Sequence, residues 1–391
     1  MNVPAYDFLA PRKIVFGWGK RVELGKLAAA LGSRAWIVSG SRTLENQGIL
    51  DELRQELTAA GIVSEHLLTI SREPEVADVD HAVAALRNQI ETGDVVIAIG
   101  GGAAIDLAKA VAALASQPEP GSVLEYLEGV GTGRTISAPP MPVIAVPTTA
   151  GTGSEATKNA VISSFDPPFK KSLRDDGMMP QVALVDPELT ASAPPAVTAH
   201  SGLDAITQLI ESYLSARAKP IPQALCLTGL RGVVDALRRA YRDGQDRPAR
   251  EIMAQAALFS GLALANSGLG LAHGVAAALG VVAKVPHGLA CAVMLPAAMR
   301  VNRTVYPERW IVLAEVLCGR RFDNAPAAAA AAIETIEVLA AELTIPRQLR
   351  QLGVSDEQIP ALVSGSRGNS MSGNPRQLSD DELASLLAEM L

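Results

Sequence analysis

Short apolar runs alternate with segments of 3.6-residue period through the first half of the chain, and beyond about residue 196 only the longer period remains. Lys13–Phe16 reads as a strand, followed by Gly17-Trp18-Gly19 and an amphipathic run to Leu31. Residues 35–38 read as a buried strand closed by Ser39-Gly40-Ser41. The pattern predicts a helix over 44–60, a strand over 63–70 and a helix over 76–92, with Val79, Val83, Leu86 and Ile90 on one face. Residues 94–99 form an almost unbroken apolar run, as in parallel sheets covered on both faces. Val143–Pro147 and residues 182–187 complete the strands. Strands alternating with helices imply a doubly wound α/β first domain.

From 196 onward the predicted segments are helices over 203–214, 222–241, 249–265, 272–282, 290–301, 310–318 and 327–343. Pro194-Pro195 marks the change, because proline disfavours helix in the residue before it. The expected division is therefore 1–193, an α/β dinucleotide-binding domain, and 194–391, a helical domain. Residues 365–375 read as a loop rich in Gly, Ser and Asn, and 380–391 as a closing helix.

Composition narrows the class. At 391 residues the chain exceeds what one core usually holds, and 48% hydrophobic with 19% charged residues describes a packed enzyme. With net charge −7 and no basic run, neither nucleic acid nor an anionic membrane is an expected partner. The three cysteines, Cys226, Cys291 and Cys318, read as reduced core thiols in apolar context, which suits a cytoplasmic protein. Met1 to Pro11 holds no apolar run of signal length, and no stretch qualifies as a membrane span.

Three places carry chemistry. The apolar run at 94–99 ends in Gly100-Gly101-Gly102-Ala103-Ala104-Ile105-Asp106-Leu107-Ala108-Lys109. Such glycines let a backbone approach an anion, and the next helix offers free N–H groups. A tight turn without ligand has the same look, and G-x-G-x-x-G spacing is absent. Val143–Pro147 leads into Thr148-Thr149-Ala150-Gly151-Thr152-Gly153-Ser154-Glu155, whose hydroxyls suit a phosphate, ribose or carboxamide, or simply a solvated loop. Of the five histidines, His66 and His81 look like surface residues, whereas His200, His273 and His287 fall in the helical half near Asp204 and Gln208. Asp204 and Gln208, four apart, share a helix face. With His273 and His287 they read either as a divalent-metal set for Fe²⁺ or Zn²⁺, or as satisfied helix-end and core residues.

Taken with Asp186-Pro187-Glu188-Leu189-Thr190, Ser201-Gly202-Leu203-Asp204-Ala205 and Pro286-His287-Gly288, these motifs resemble, in order and spacing over essentially the whole chain, the iron-containing (group III) alcohol dehydrogenase family. The resemblance implies its fold, shared with dehydroquinate synthase: an α/β nucleotide-binding domain and an all-α domain, with the active site in the cleft between. It implies an NAD(P)-dependent oxidoreductase interconverting a small alcohol and its aldehyde or ketone, in a homodimer or larger homo-oligomer. Gly100, Gly101 and Gly102 would bind the pyrophosphate, with Asp106 beside them; Thr148, Thr149, Thr152 and Lys170 would contact the coenzyme. Asp204, Gln208, His273 and His287 fall on the metal positions, and His273 and His287 are the catalytic candidates.

Two positions depart from the family pattern. Gln208 stands where members usually carry histidine, and an amide oxygen is the poorer ligand. Ala277 stands where many carry a histidine thought to move the proton; His200 either takes over that task or is a surface residue at a helix start. Together with the tail 368–375, these changes also suit a metal-independent NAD(P)H reductase of an oxo-acid, like maleylacetate reductase. A lyase on the same fold and a non-catalytic nucleotide-binding relative are the remaining readings. Where NAD enzymes of the family place a carboxylate after the strand at 35–38, this chain has Gly40, Ser41 and Arg42, which tilts the choice between NAD and NADP to NADP.

Overall fold

The computed structural model describes residues 5–391. Their elements run β1 (Lys13–Phe16), α1 (Leu24–Ala29), β2 (Arg34–Ser39), α2 (Thr43–Asn46), α3 (Ile49–Ala59), β3 (Val63–Thr69), α4 (Val76–Leu86), β4 (Asp94–Gly100), α5 (Gly102–Ala115), β5 (Val143–Pro147), β6 (Asn159–Phe165), β7 (Pro168–Arg174) and β8 (Val182–Val185). Helices alone follow: α6 (Pro195–Leu214), α7 (Pro220–Leu230), α8 (Val233–Arg242), α9 (Arg247–Ser267), α10 (Leu271–Val282), α11 (His287–Asn302), α12 (Pro307–Cys318), α13 (Ala325–Glu342), α14 (Ile359–Ser366) and α15 (Asp380–Glu389). The chain divides into two compact units. One is Leu9–Thr149 with Gly153–Thr190; the other is Ala191–Leu391 with Ala150–Thr152 and the described residues before Leu9.

In the first unit six parallel strands lie in the order β1-β8-β5-β4-β2-β3. Every residue of β4 is buried, as its apolar run demands. Alternate residues of the strands feed two different cores, one per sheet face. Ala35, Ile37, Val95, Ile97 and Ile99 pack with Leu24 and Leu53 of α1 and α3. Trp36, Val38, Val96 and Ala98 pack with Val79, Val83, Leu107 and Val111 of α4 and α5. Each valine, leucine or isoleucine side chain so taken out of water contributes roughly 1.5–3 kcal/mol. The second unit is built on one core, of residues from Ala199 to Met390 joined by Ala150.

Four local expectations are corrected. The helix foreseen at 44–60 is two, because Gly48 takes a left-handed backbone (φ 72°) before α3; the one foreseen at 222–241 is likewise split at Gly232 (φ 73°). The apolar period continues across both breaks, so periodicity alone hides them. The antiparallel hairpin β6–β7 went unforeseen. Its inward residues, Ala160, Ile162, Phe169 and Leu173, join the core around α5, but the lysines and serines between them blur the alternation. The tail 365–375 is not all loop: α14 reaches Ser366 and a 3-10 turn forms at Met371–Gly373. No single helix among the described residues is long and apolar enough to cross a membrane.

A buried polar knot ties α5 to the segment after β5. Lys109 is fully buried, and its Nζ donates to Ser154 O (3.0 Å), Thr157 Oγ1 (2.9 Å) and Thr157 O (3.3 Å) and pairs with Asp106 (3.1 Å). Glu155 is 2% exposed and its Oε1 has no hydrogen-bond partner. Burial raises its carboxyl from 4.5 to about 7, against a smaller opposing pull from Lys109. A carboxyl raised by folding contributes stability in full below pH 4.5 and loses it as the pH climbs to about 7. The loss is roughly 3 kcal/mol. Denaturant titrations across this window are expected to show that fall in the wild type and a flatter profile in Glu155→Gln, with the variant the more stable at pH 8. Equal slopes for the two proteins would remove Glu155 as the cause.

Candidate functional site

In the helical unit one face of α6 presents Asp204, Gln208 and Glu211, at successive turns. All three are buried, at 1%, 3% and 5% exposure. Glu211 points at the start of α10, which no side chain of its own caps. There it accepts from the backbone N–H of Gly270 (3.1 Å), Ala272 (2.6 Å) and His273 (3.4 Å). A carboxylate is well placed at a helix N-terminus, where amides lack partners and the dipole is positive. The same carboxylate accepts from His273 Nδ1 at 2.7 Å. An acceptor so committed leaves Nδ1 to carry the proton and turns Nε2 to Asp204, 3.2 Å from its Oδ1.

His287 enters from α11. Pro286 occupies the N-cap and makes His287 the first residue of the helix. Gly288 lets that first turn press on α6: a Cβ there would lie 2.6 Å from His200 O. His287 Nε2 lies 3.9 Å from Asp204 Oδ1, and the two imidazoles meet edge to face with centroids 5.5 Å apart. Electrostatics follow the geometry. Burial opposes the charge on Asp204, yet His287 and His273 hold its carboxyl below the usual range. Burial also opposes a charged His273, but its neighbour Cys291 and its hydrogen bonds to Asp204 and Glu211 hold it well above the usual value. Asp204, His273 and His287 therefore converge as the spacing allowed.

A fourth member was not foreseen. Cys291 sits one turn beyond His287, and its Sγ, one oxygen of Asp204 and one ring nitrogen of each histidine all lie within 4.8 Å of one another. The expectation of apolar context for this cysteine is corrected; the thiol is buried, but beside two imidazoles and a carboxylate, 3.7 Å from His287 Nε2. Burial pushes it up to about 12. The i, i+4 spacing from His287 was the available signal. Gln208 is engaged elsewhere, its Oε1 accepting from Ser260 Oγ of α9 at 2.7 Å. Ala277, one turn after His273, supplies only a methyl group. His200 lies within α6, half-buried rather than on the surface, and burial lowers its imidazole. The donor set of carboxylate and imidazole is one that iron and zinc take.

The α/β unit carries the glycine turn. A Cβ on Gly100 would lie 2.9 Å from Gly40 Cα and 2.8 Å from Ala104 Cβ, so the ends of β2 and β4 touch through bare backbone. Gly101 caps α5 with no side-chain hydrogen bond, leaving the first turn of the helix open to an anion. Thr148 N–H donates to Gly100 O (3.0 Å), and Thr149 Oγ1 lies 3.3 Å from where a Gly101 Cβ would stand. This cradle, with Gly102 as first helical residue, fits a pyrophosphate. Ser41 and Arg42 are exposed beyond β2. Asp106 is spent within the unit, on Val161 N–H (3.0 Å) and Lys109, and Lys170 Nζ pairs with Glu73 at 2.6 Å. Thr152 groups with the helical unit.

Comparison with known proteins shows the family. Residues 11–187 match the family model described as iron-containing alcohol dehydrogenase, and 198–391 match the C-terminal model of the same family. The probable alcohol dehydrogenase EutG of Escherichia coli (strain K12) is 34% identical over 97% of this chain and 93% of its own. The crystal structure of a 1,3-propanediol oxidoreductase superposes with a TM-score of 0.91 at 30% identity, covering 99% of this chain and 100% of that one. Sulfoacetaldehyde reductase from Bifidobacterium kashiwanohense, solved with NAD⁺, gives 0.87 at 31% identity, covering 99% of each chain. These are alcohol and aldehyde enzymes, and the oxo-acid reductase alternative is not favoured. The chain belongs to the iron-containing alcohol dehydrogenase family and is an alcohol–aldehyde oxidoreductase.

Proposed function

We propose that Asp204, His273 and His287 hold a divalent cation, iron or zinc, and that the Gly100–Gly102 turn with Thr148, Thr149 and Thr152 binds NADP in preference to NAD. The observation that carries the reading is the convergence of a buried carboxylate with two imidazoles, one of them locked in orientation by Glu211. When bound, the nicotinamide supplies or accepts the hydride, and the cation supplies Lewis-acid polarisation of the substrate oxygen.

The chain's own part is to bind, orient and exclude water. Glu211 keeps the proton on His273 Nδ1, so that Nε2, once its own proton has left, is the ring atom offered to a cation. The buried Asp204 supplies negative charge in a setting that water screens little. Ala277 adds no titratable group to α10, so a proton has no second histidine on that helix to leave by. The substrate is a small alcohol or its aldehyde or ketone. The exposed Arg42 and the absence of a carboxylate at 39–42 support NADP, since a guanidinium suits a 2′-phosphate. Three unpaired thiols support a cytoplasmic setting.

The decisive assay follows NADPH and NADH oxidation with a panel of short aldehydes, before and after chelation and after adding back Fe²⁺ or Zn²⁺. Activity should vanish with the cation and return with it; full activity in protein shown by elemental analysis to be free of metal would end the reading. Glu211→Gln should weaken cation binding by about 10–100-fold while Asp204→Ala abolishes it. Equal cation affinity in Glu211→Gln and wild type would show that His273 needs no such anchor. Arg42→Ala should raise KM for NADPH by about tenfold and leave that for NADH in place; a parallel change in both would remove Arg42 from coenzyme choice.

A further inference from the structure

The proposed cation site leaves its fourth protein position in question. α6 offers Gln208, whose Oε1 already accepts a hydrogen bond from Ser260. α11 offers a better donor. Cys291 is buried on the same helix face as His287, its Sγ 3.7 Å from His287 Nε2. Two further edges of the cluster are 3.2 Å (His273 Nε2 to Asp204 Oδ1) and 3.9 Å (His287 Nε2 to Asp204 Oδ1), and the remaining ones lie within 4.8 Å. A tetrahedral ion with bonds of about 2.0–2.3 Å separates its donors by about 3.3–3.7 Å, so the three edges of 3.2–3.9 Å suit one ion once the cluster closes around it. Cys226, by contrast, is buried in the apolar helical core.

We propose that Cys291 binds the cation as a thiolate and is the fourth protein ligand, making an Asp-His-His-Cys site that favours zinc over iron(II). The inference rests on the reading of Asp204, His273 and His287 as ligands. On binding, the S–H bond breaks, a sulfur–metal bond forms, and one proton leaves to solvent; no oxidation state changes. Thiolate is the softest donor in the set and shifts selectivity towards zinc, which already outranks Fe²⁺ at nitrogen and oxygen sites.

Cobalt(II) tests this directly. The full-length apoprotein is titrated with Co²⁺, then with Zn²⁺ in competition, for the wild type and for Cys291→Ser, Gln208→Ala and Asp204→Ala, with thermal melts as a check of folding. The wild type should show a near-ultraviolet sulfur-to-cobalt charge-transfer band, which Gln208→Ala keeps and Cys291→Ser loses. Zinc affinity should fall at least about tenfold in Cys291→Ser, with a smaller loss for Fe²⁺. A wild type that binds Co²⁺ with visible d–d bands but no charge-transfer band overturns the thiolate ligand and leaves the three-ligand reading standing. A wild type that binds no more Co²⁺ than Asp204→Ala overturns both. The wild-type spectrum alone decides should the cysteine variant fail to fold.

Discussion

The buried carboxylate of Glu211 is the constraint on which the site depends. It satisfies amides at the start of α10 and in the same geometry accepts a hydrogen bond from His273 Nδ1–H. Two requirements are thereby met by one group: the helix start finds acceptors away from water, and the imidazole is fixed with Nε2 facing Asp204. Because Asp204 and Glu211 stand two turns apart on α6, a single rigid helix sets both ends of the His273 hydrogen-bond chain. Precision here comes from a helix rather than a loop.

The departures from the family pattern become coherent around this anchor. Gln208 keeps a role in packing α6 against α9 through Ser260, so its amide is not idle. Cys291 brings a thiol to the cluster. Ala277 leaves α10 with His273 as its one imidazole. The α/β unit solves its own problem with bare backbone: Gly40 and Gly100 let two parallel strands end side by side, and the first turn of α5 opens onto the space beyond them. Lys109 holds the Ser154–Thr157 backbone to α5, which fixes the segment that follows the threonines.

Much of this was legible in the chain. Continuous apolar runs between helical periods dictate a covered parallel sheet, since only a strand buried on both faces can be apolar at every position; β4 is the case in point. Pro195 at the first position of α6 dictates where that helix starts. The glycine and threonine motifs, the two histidines and Asp204 could be named, because their spacing is local or belongs to a familiar pattern. What only the tertiary structure decided are facts of three-dimensional approach. Glu211 meets His273 across 62 residues, and nothing local marks it among the chain's acids. Cys291 sits in a stretch of alanines and apolar residues, where a thiol passes for core until α6 and α10 are laid against α11. The β6–β7 hairpin and the splits at Gly48 and Gly232 escaped for a related reason: periodicity reports which face is apolar, whereas register, backbone hand and the partner across a contact are set by packing.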